Sequence, residues 1–305
     1  MYFKRFSSVW QMTLSLPPHC LDSIKTSMQG LILVATPIGN LSDISLRGLL
    51  TLQQADMIAC EDTRVTRKLL DHYGIQAKLQ SYHDHNAGKI QPLLIHHLKQ
   101  GHSLALVCDS GTPLISDPGY KLVQAAITEG ISVQTIPGAS ALLTGLVISG
   151  LPTHQFLFAG FPPPRSVARQ KFLQAFSSIS ATLVFFESPQ RLQDSLKDCL
   201  TVFGNKPAAV GRELTKMFEE IKRGDLQELV DYYQGNPLVK GEIVMMIDLT
   251  KPLILSPEEK EDMVINLLQQ YLPLMSVKEA AKKISDELDI PKKIVYNQAL
   301  ILQKK

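Results

Sequence analysis

Residues 104–120 read Leu104-Ala-Leu-Val107-Cys-Asp-Ser-Gly-Thr-Pro-Leu-Ile-Ser-Asp-Pro-Gly-Tyr120. The run Leu104 to Val107 is short and apolar, as a buried strand is, and a helical pattern resumes at Tyr120. The connection between them holds two Gly, two Pro and two Asp. Most strand-to-helix connections take about 2–6 residues. A longer one carrying Asp109, Ser110, Gly111, Thr112, Ser116 and Asp117 predicts a loop held in shape to contact a ligand. The alternative is a long turn with helix caps.

Outward from this loop the chain alternates strand and helix. Leu31 to Ala35, Met57 to Cys60, Leu79 to Tyr82, Leu104 to Val107 and Val133 to Ile136 are short apolar strands. Ser45 to Gln54, Thr63 to His72, Lys89 to Lys99, Gly119 to Glu129 and Ala139 to Ile148 carry helical spacing. Strands separated by helices pair in parallel through right-handed crossovers, so residues 30–148 are expected to form an α/β domain. In such sheets ligands collect outside the carboxyl ends of the strands, where the polar loops begin.

The texture changes at Ser149-Gly150-Leu151-Pro152. Beyond it, Phe156 to Phe161, Thr182 to Glu187, Ala208 to Arg212, Phe218 to Arg223 and Glu242 to Leu249 read as strands. Helices are expected at Ser166 to Phe176, Gln190 to Val202 and Leu226 to Tyr233. Two strands follow each other directly around Leu214 to Phe218, so residues 149–250 are expected to form a second α/β domain with a mixed sheet. Residues 255–305 read as a small helical module. Ser276-Val-Lys-Glu279 is a capping box and Pro291 marks a first helical turn, which predicts two helices joined by a short turn. The span Ser276 to Lys305 carries seven Lys against four acidic residues, a surplus that suits a solvated packing module as well as an RNA contact.

Residues 1–29 lack the continuous apolar core and small-residue cleavage site of a secretory signal and are expected to be a disordered leader. No apolar run approaches the ~20 residues that span a bilayer, so no membrane association is expected. The chain of 305 residues is 45% hydrophobic and 20% charged, with a net charge of +2, ordinary for a globular protein with a sizeable core. Such a balance neither requires nor excludes nucleic acid. Cys20, Cys60, Cys108 and Cys199 are widely spaced, which fits a reducing cytoplasm and gives no zinc or disulfide pattern.

The loop after the first strand, Thr36-Pro37-Ile38-Gly39-Asn40, lacks the glycine pattern of a dinucleotide site, and the chain has no Walker lysine. Cofactors without phosphate are therefore better candidates. Glu61-Asp62-Thr63-Arg64 ends the second strand and Tyr82-His83-Asp84-His85-Asn86 the third. Asp62 or Thr63 suits a helix cap, and Arg64 a phosphate or carboxylate. His83 and His85 suit a base or a stacking surface, and no third ligand at zinc spacing accompanies them, so no metal is expected. Phe186-Glu187-Ser188-Pro189-Gln190-Arg191 and Gly211-Arg212-Glu213-Leu214-Thr215-Lys216 couple acids to bases. They read either as internal ion pairs or as contacts to a large polar substrate.

Taken in order, Thr36 to Asn40, Glu61 to Arg64, His83 to Asn86, Asp109 to Gly119, Pro137-Gly138-Ala139-Ser140 and Arg212 to Lys216 resemble the motif set of the tetrapyrrole methylase superfamily. Within it they resemble the branch of small-subunit ribosomal RNA methyltransferases, from about Gly30 to Leu249. The helical tail resembles the extra C-terminal module of that branch. The resemblance implies two α/β domains with S-adenosylmethionine held in the cleft between them. It also implies 2′-O-methylation of a decoding-site cytidine in 16S rRNA, within the small ribosomal subunit, by a homodimer. Carried over by motif, the donor site comprises Pro37, then Asp109, Ser110, Gly111, Leu114, Ile115 and Asp117, and Pro137, Ala139, Ser140 and Ala141.

A ribose oxygen attacking a sulfonium methyl must be aligned with it and must lose its proton. The candidates for the proton are His83, Asp84 and His85, with Glu61 and Asp62 behind them. Arg64, Asn86, Glu187, Arg191, Arg212 and Lys216 are the candidates for contacting RNA, whose phosphates and 2′-hydroxyls such side chains recognise. A porphyrinoid methylase, a non-catalytic RNA-binding protein and, least favoured, an NAD-type oxidoreductase are the alternatives.

Overall fold

The computed structural model describes residues 29–235, 240–250, 257–288 and 290–303. The expected leader, apart from Gln29, lies outside the described residues. The chain then runs β1 (Gly30–Val34), α1 (Leu46–Gln54), β2 (Met57–Cys60), α2 (Thr63–His72), β3 (Leu79–Ser81), α3 (Ala87–Lys99), β4 (Ser103–Leu106), α4 (Tyr120–Thr128), β5 (Val133–Ile136) and α5 (Ala141–Ile148). It continues through β6 (Phe156–Phe158), α6 (Ser166–Gln174), β7 (Thr182–Glu187), α7 (Leu192–Phe203), β8 (Pro207–Arg212), β9 (Glu220–Asp225), α8 (Leu226–Gly235) and β10 (Ile243–Asp248). Three helices close it: α9 (Pro257–Tyr271), α10 (Val277–Leu288) and α11 (Lys292–Gln303).

The first sheet is parallel throughout, in the order β3-β2-β4-β1-β5. Its strands are apolar on both faces because helices cover both. Leu31, Leu104 and Leu106 pack with Leu94, Leu98 and Leu122, while Ile32, Val34 and Ile58 pack with Leu52, Leu69 and Leu70. The chain leaves β1 toward β2 but returns from β4 across β1 to β5. The loops after β1 and β4 therefore face each other at the carboxyl edge, where doubly wound sheets bind ligands.

The second sheet, ordered β6-β7-β10-β8-β9, is mixed as expected, with β6 parallel to β7 and the other pairs antiparallel. One face carries α6, α7 and α8, with Leu173, Leu196, Phe203, Leu229 and Tyr233 in its core. Its other face meets α5, whose sequence Ala-Leu-Leu-Thr-Gly-Leu-Val-Ile is apolar almost throughout. Leu142 and Leu146 of this helix pack with Val184, Ala209, Val244 and Met246. Gly145 permits the approach, since a Cβ there would stand 3.2 Å from Val244 Cγ1 and 3.3 Å from Met246 Sδ. Arg223 of β9 donates to the terminal carbonyls of Ile148 and Ser149 at 3.2 Å, satisfying groups the helix leaves unpaired. Thus α5 follows the last strand of the first sheet and packs on the second, and both sheets belong to one compact unit ending at Thr250.

Three local departures from the sequence reading have physical causes. Strand β6 stops at Phe158 instead of Phe161 because the chain turns at Gly160, with φ +67°. Strand β9 starts two residues late because Met217 and Phe218 stay exposed in the β8–β9 turn, where Glu213 and Thr215 take φ +51° and +65°. The helical tail has three helices, not two, around a core that includes Val264, Leu268, Ala281, Ile284, Val295 and Ala299. Its capping box forms: Ser276 N–H donates to Glu279 at 3.1 Å and Glu279 N–H donates to the Ser276 hydroxyl at 3.3 Å. Among the described residues no helix is long and apolar enough to cross a membrane.

Candidate active site

Where the carboxyl edge of the first sheet meets the second sheet lies a cavity of about 400 Å³, within the ~300–1,000 Å³ usual for small-molecule sites. The quoted loop builds one wall through Ser110, Gly111, Thr112, Ile115, Ser116 and Asp117, and α5 adds Ser140 and Ala141. The second sheet builds the other through Phe161, Phe186, Leu214 and Gly241 to Val244.

The loop is pinned to its neighbours. Thr36 N–H donates to Gly111 O at 2.8 Å, Gly111 N–H returns a bond to Thr36 O at 3.0 Å, and the Thr112 hydroxyl donates to Ala139 O at 3.0 Å. Leu114 and Ser116 take φ +74° and +65°, a left-handed conformation that costs non-glycine residues about 1–3 kcal/mol each and is tolerated only where surroundings enforce it. Ser140 stands at the N-cap of α5, yet its hydroxyl makes no cap bond.

The ionisable side chains of the lining are all carboxylic. Asp117, Glu187 and Glu242 line the cavity, and among the described residues no Lys, Arg or His does. Glu187 accepts from Arg191 Nε at 2.8 Å and Glu242 lies 3.1 Å from Lys216 Nζ. Burial pushes the Asp117 carboxyl above its ordinary value of 3.8, with Asp109 adding to the effect. A carboxyl whose pKa rises on folding contributes stability below its ordinary pKa and loses it as pH rises through the raised value. Asp117→Asn is therefore expected to raise Tm at pH 7 by about 2–4 °C and to change it little at pH 3, which thermal melts at the two pH values would check.

The joint between the β1 loop and the β8–β9 turn frames the mouth. Asn40 N–H donates to the Thr215 hydroxyl at 3.1 Å. A Cβ on Gly39 would stand 2.3 Å from Lys216 Cγ and 3.0 Å from the Leu214 carbonyl oxygen. The lysine stem can swing aside, but the backbone carbonyl cannot. Gly39→Ala is expected to cost about 1–3 kcal/mol, read as a lower midpoint in urea unfolding.

A second, more open groove, of about 450 Å³, is lined by Glu61, Asp62, Thr63, Arg64, Ser81, His83, His85 and Asp109. The loop that supplies Ser110 to the cavity thus supplies Asp109 to this groove. Asp62 caps α2, accepting from Arg64 N–H at 2.8 Å, and pairs with the Arg64 guanidinium at 2.6 Å, which holds its pKa down at about 2. Its backbone N–H donates to Asp109 Oδ1 at 3.0 Å. Glu61 is pushed above the ordinary carboxylate value by burial, then by Asp109 and Asp117. The His83 and His85 rings lie 6.0 Å apart, and His83 Nδ1 is buried without a hydrogen-bond partner.

Other residues singled out in the sequence have work inside the protein. Asn86 accepts from His83 N–H at 2.9 Å and donates to Ser81 O at 3.1 Å, fixing the turn after β3. Arg191 is committed to Glu187, which also accepts from Ser188 N–H and the Ser195 hydroxyl. Arg212 pairs at 2.9 Å with Glu220, its cross-strand neighbour, and Lys216 at 2.8 Å with Glu213. For these pairs the internal alternative describes the arrangement. Asp84 and Pro137 are exposed, and Pro37, Leu114, Pro137 and Ala139 line neither cavity nor groove; Leu114 packs against the core of the first sheet and Ala139 against that of α5. Ile38, Thr112, Ser116 and Leu214 line the cavity from within motifs already read, whereas Phe161 and Gly241 to Val244 reach it only through the pairing of the second sheet.

Residues 30–230 match the family model of tetrapyrrole (corrin/porphyrin) methylases. The ribosomal RNA small subunit methyltransferase I of Mesorhizobium japonicum is 47% identical over 90% of this chain and 92% of its own length. That of Halalkalibacterium halodurans is 45% identical over 88% and 93%. In fold, the chain is similar to a cobalt precorrin-4 methyltransferase of cobalamin biosynthesis, with a TM-score of 0.53 at 17% identity over 73% of this chain and 96% of the other. A diphthine synthase gives a TM-score of 0.55 at 17% identity over 71% and 89%. The chain belongs to the tetrapyrrole methylase family and, within it, to the ribosomal RNA small subunit methyltransferases I.

Proposed function

We propose that this protein methylates the ribose 2′-oxygen of a decoding-site cytidine in 16S rRNA, within the small ribosomal subunit, using S-adenosylmethionine. The observation that carries the reading is the pairing of a cavity whose charged lining, among the described residues, is carboxylates alone with an adjacent groove of ionisable groups. The donor bears a sulfonium, an ammonium and one carboxylate, a net positive charge that an acidic lining favours and a basic one repels. Phe161, Phe186, Ile38, Leu214 and Val244 offer the apolar surface an adenine ring needs, and Ser110, Thr112 and Ser140 the polar contacts that orient it. Bound there, S-adenosylmethionine would supply an electrophilic methyl group.

The protein's own contribution is alignment, exclusion of water and transfer of one proton. The acceptor oxygen gains a methyl group and gives up its hydrogen. Glu61 is assigned as the group that takes that proton. It lines the outer groove, and burial, then the fields of Asp109 beside it and of Asp117 in the inner cavity, raise its proton affinity. His83 and His85 border the same groove and orient the sugar. Arg64, whose side chain is 86% exposed, offers its guanidinium to a phosphate.

The same reading makes the enzyme a cytoplasmic homodimer. Leu143 and Val147, exposed one turn apart on α5, support a self-contact, and sedimentation of Val147→Glu against the wild type tests it. The acceptor atom is tested by digesting rRNA methylated with labelled donor in alkali. Label in an alkali-stable dinucleotide is the expected result, because a 2′-O-methyl group blocks cleavage of the adjoining phosphodiester. Label in mononucleotides would place the methyl on a base and overturn the assignment.

A further inference from the structure

The groove beside Glu61 does not end at Arg64. Thr63 and Arg64 also line a neighbouring hollow of about 490 Å³ with Arg67, Ala77, Lys78 and Leu79. The two form one furrow that crosses the first turn of α2 toward β3, the edge strand of the first sheet. Its charge changes along its length. Glu61, Asp62 and Asp109 line the inner part with two histidines, whereas Arg64, Arg67 and Lys78 line the outer part with no acidic residue among them.

The cations stand on both walls. Arg64 and Arg67 are neighbours on one face of α2, as residues three apart in a helix are, and Lys78 comes from the segment entering β3. All three are exposed. Arg67 reaches across to donate to Ala77 O at 3.4 Å, which holds its guanidinium over the furrow. The Arg64–Asp62 pair is at the surface, and such pairs are too weak to withhold an arginine from a phosphate.

We propose that the outer furrow is a track for the phosphate backbone of the RNA strand flanking the target nucleotide, with Arg67 and Lys78 as its contacts. This rests on the reading that the inner groove receives the ribose. Continuity of the furrow with that groove favours a nucleic-acid strand, since the nucleotide entering the inner end carries its neighbours' phosphates along the outer one. Contacts of this kind set affinity and register without reading bases.

The test is binding of a decoding-site RNA hairpin, and of small subunits, to full-length protein across a range of salt. Wild type is compared with the double variants Arg67→Glu/Lys78→Glu and Arg67→Gln/Lys78→Gln. Lys121→Glu/Lys171→Glu is the control for net charge, because neither lysine lines the furrow. The furrow variants are expected to bind the hairpin at least ~10-fold more weakly, with a slope of log K against log salt shallower by about 1.4, the share of two single-strand phosphates. Donor affinity and kcat at saturating subunits are expected to stay at the wild-type level. Binding and slope equal to those of the control would overturn the proposal. So would weakening toward intact subunits alone, which would assign the furrow to an acidic ribosomal protein. Wild type that binds the hairpin through these residues yet methylates no rRNA would uphold the track and refute the methyl-transfer reading. Wild type that retains no RNA would refute both.

Discussion

Ser140→Trp is expected to abolish donor binding while the protein remains folded. The residue lines the cavity where the Asp109–Asp117 loop meets the first turn of α5, so an indole there fills the space proposed for the donor. The substitution removes little else, because the Ser140 hydroxyl makes no cap bond to the helix it precedes. The cavity opens beside the residue, so the larger side chain has somewhere to go without displacing Leu142 or Leu146 from the core between the sheets. The expected loss of donor affinity exceeds ~100-fold, or about 2.8 kcal/mol, by calorimetry, with Tm within about 2 °C of wild type. Retention of normal donor affinity would place the donor elsewhere.

Glu61→Gln separates chemistry from binding. The amide keeps the shape of the carboxylate and leaves the furrow cations in place, but it cannot accept the proton of a ribose hydroxyl. General bases contribute about 10²–10⁴-fold, so kcat is expected to fall by at least ~100-fold with donor and RNA affinities unchanged. The pH dependence supplies a second check. Burial and the neighbouring carboxylates Asp109 and Asp117 raise the Glu61 pKa, and a base acts only when deprotonated. The wild-type rate is therefore expected to climb with pH through a midpoint above the ordinary glutamate value of 4.5, a limb that Glu61→Gln lacks. A variant with normal kcat would transfer the role to His83 or His85.

The first sheet was readable because its strands are buried on both faces and appear as apolar runs, each followed by a loop dense in polar residues. That pattern marks Ser110, Gly111, Thr112, Ser116 and Asp117, and the family resemblance adds Ile115, Ser140 and Ala141; all of these line the cavity. The opposite wall was readable only in part: Phe186 to Pro189 and Leu214 fall in segments that couple acids to bases, whereas Gly241 to Val244 fall in none. Ile243 stands beside Glu187 and Arg212 only because β10 lies between β7 and β8, and no local pattern encodes that order. The same long-range register decides whether a base is available to a ligand: Arg212 faces Glu220 across the β8–β9 pair, a fact invisible in either segment alone. Helix α5 was legible as a helix, but not its packing on the second sheet, because a segment apolar on every side names no preferred partner. The outer furrow was missed for a related reason. Arg67 and Lys78 look like ordinary solvated charges until α2 and β3 bring them to one channel.

The central claim is that the chain moves a methyl group from S-adenosylmethionine to one ribose of the decoding site. It is tested most directly by incubating purified protein and labelled donor with small subunits from cells lacking the enzyme, then mapping the modified nucleotide by mass spectrometry. Label confined to the ribose of a single decoding-site cytidine is the predicted result. Donor bound with affinity but no label in rRNA, or label on a base, would contradict the account and move the acceptor to another molecule or another atom.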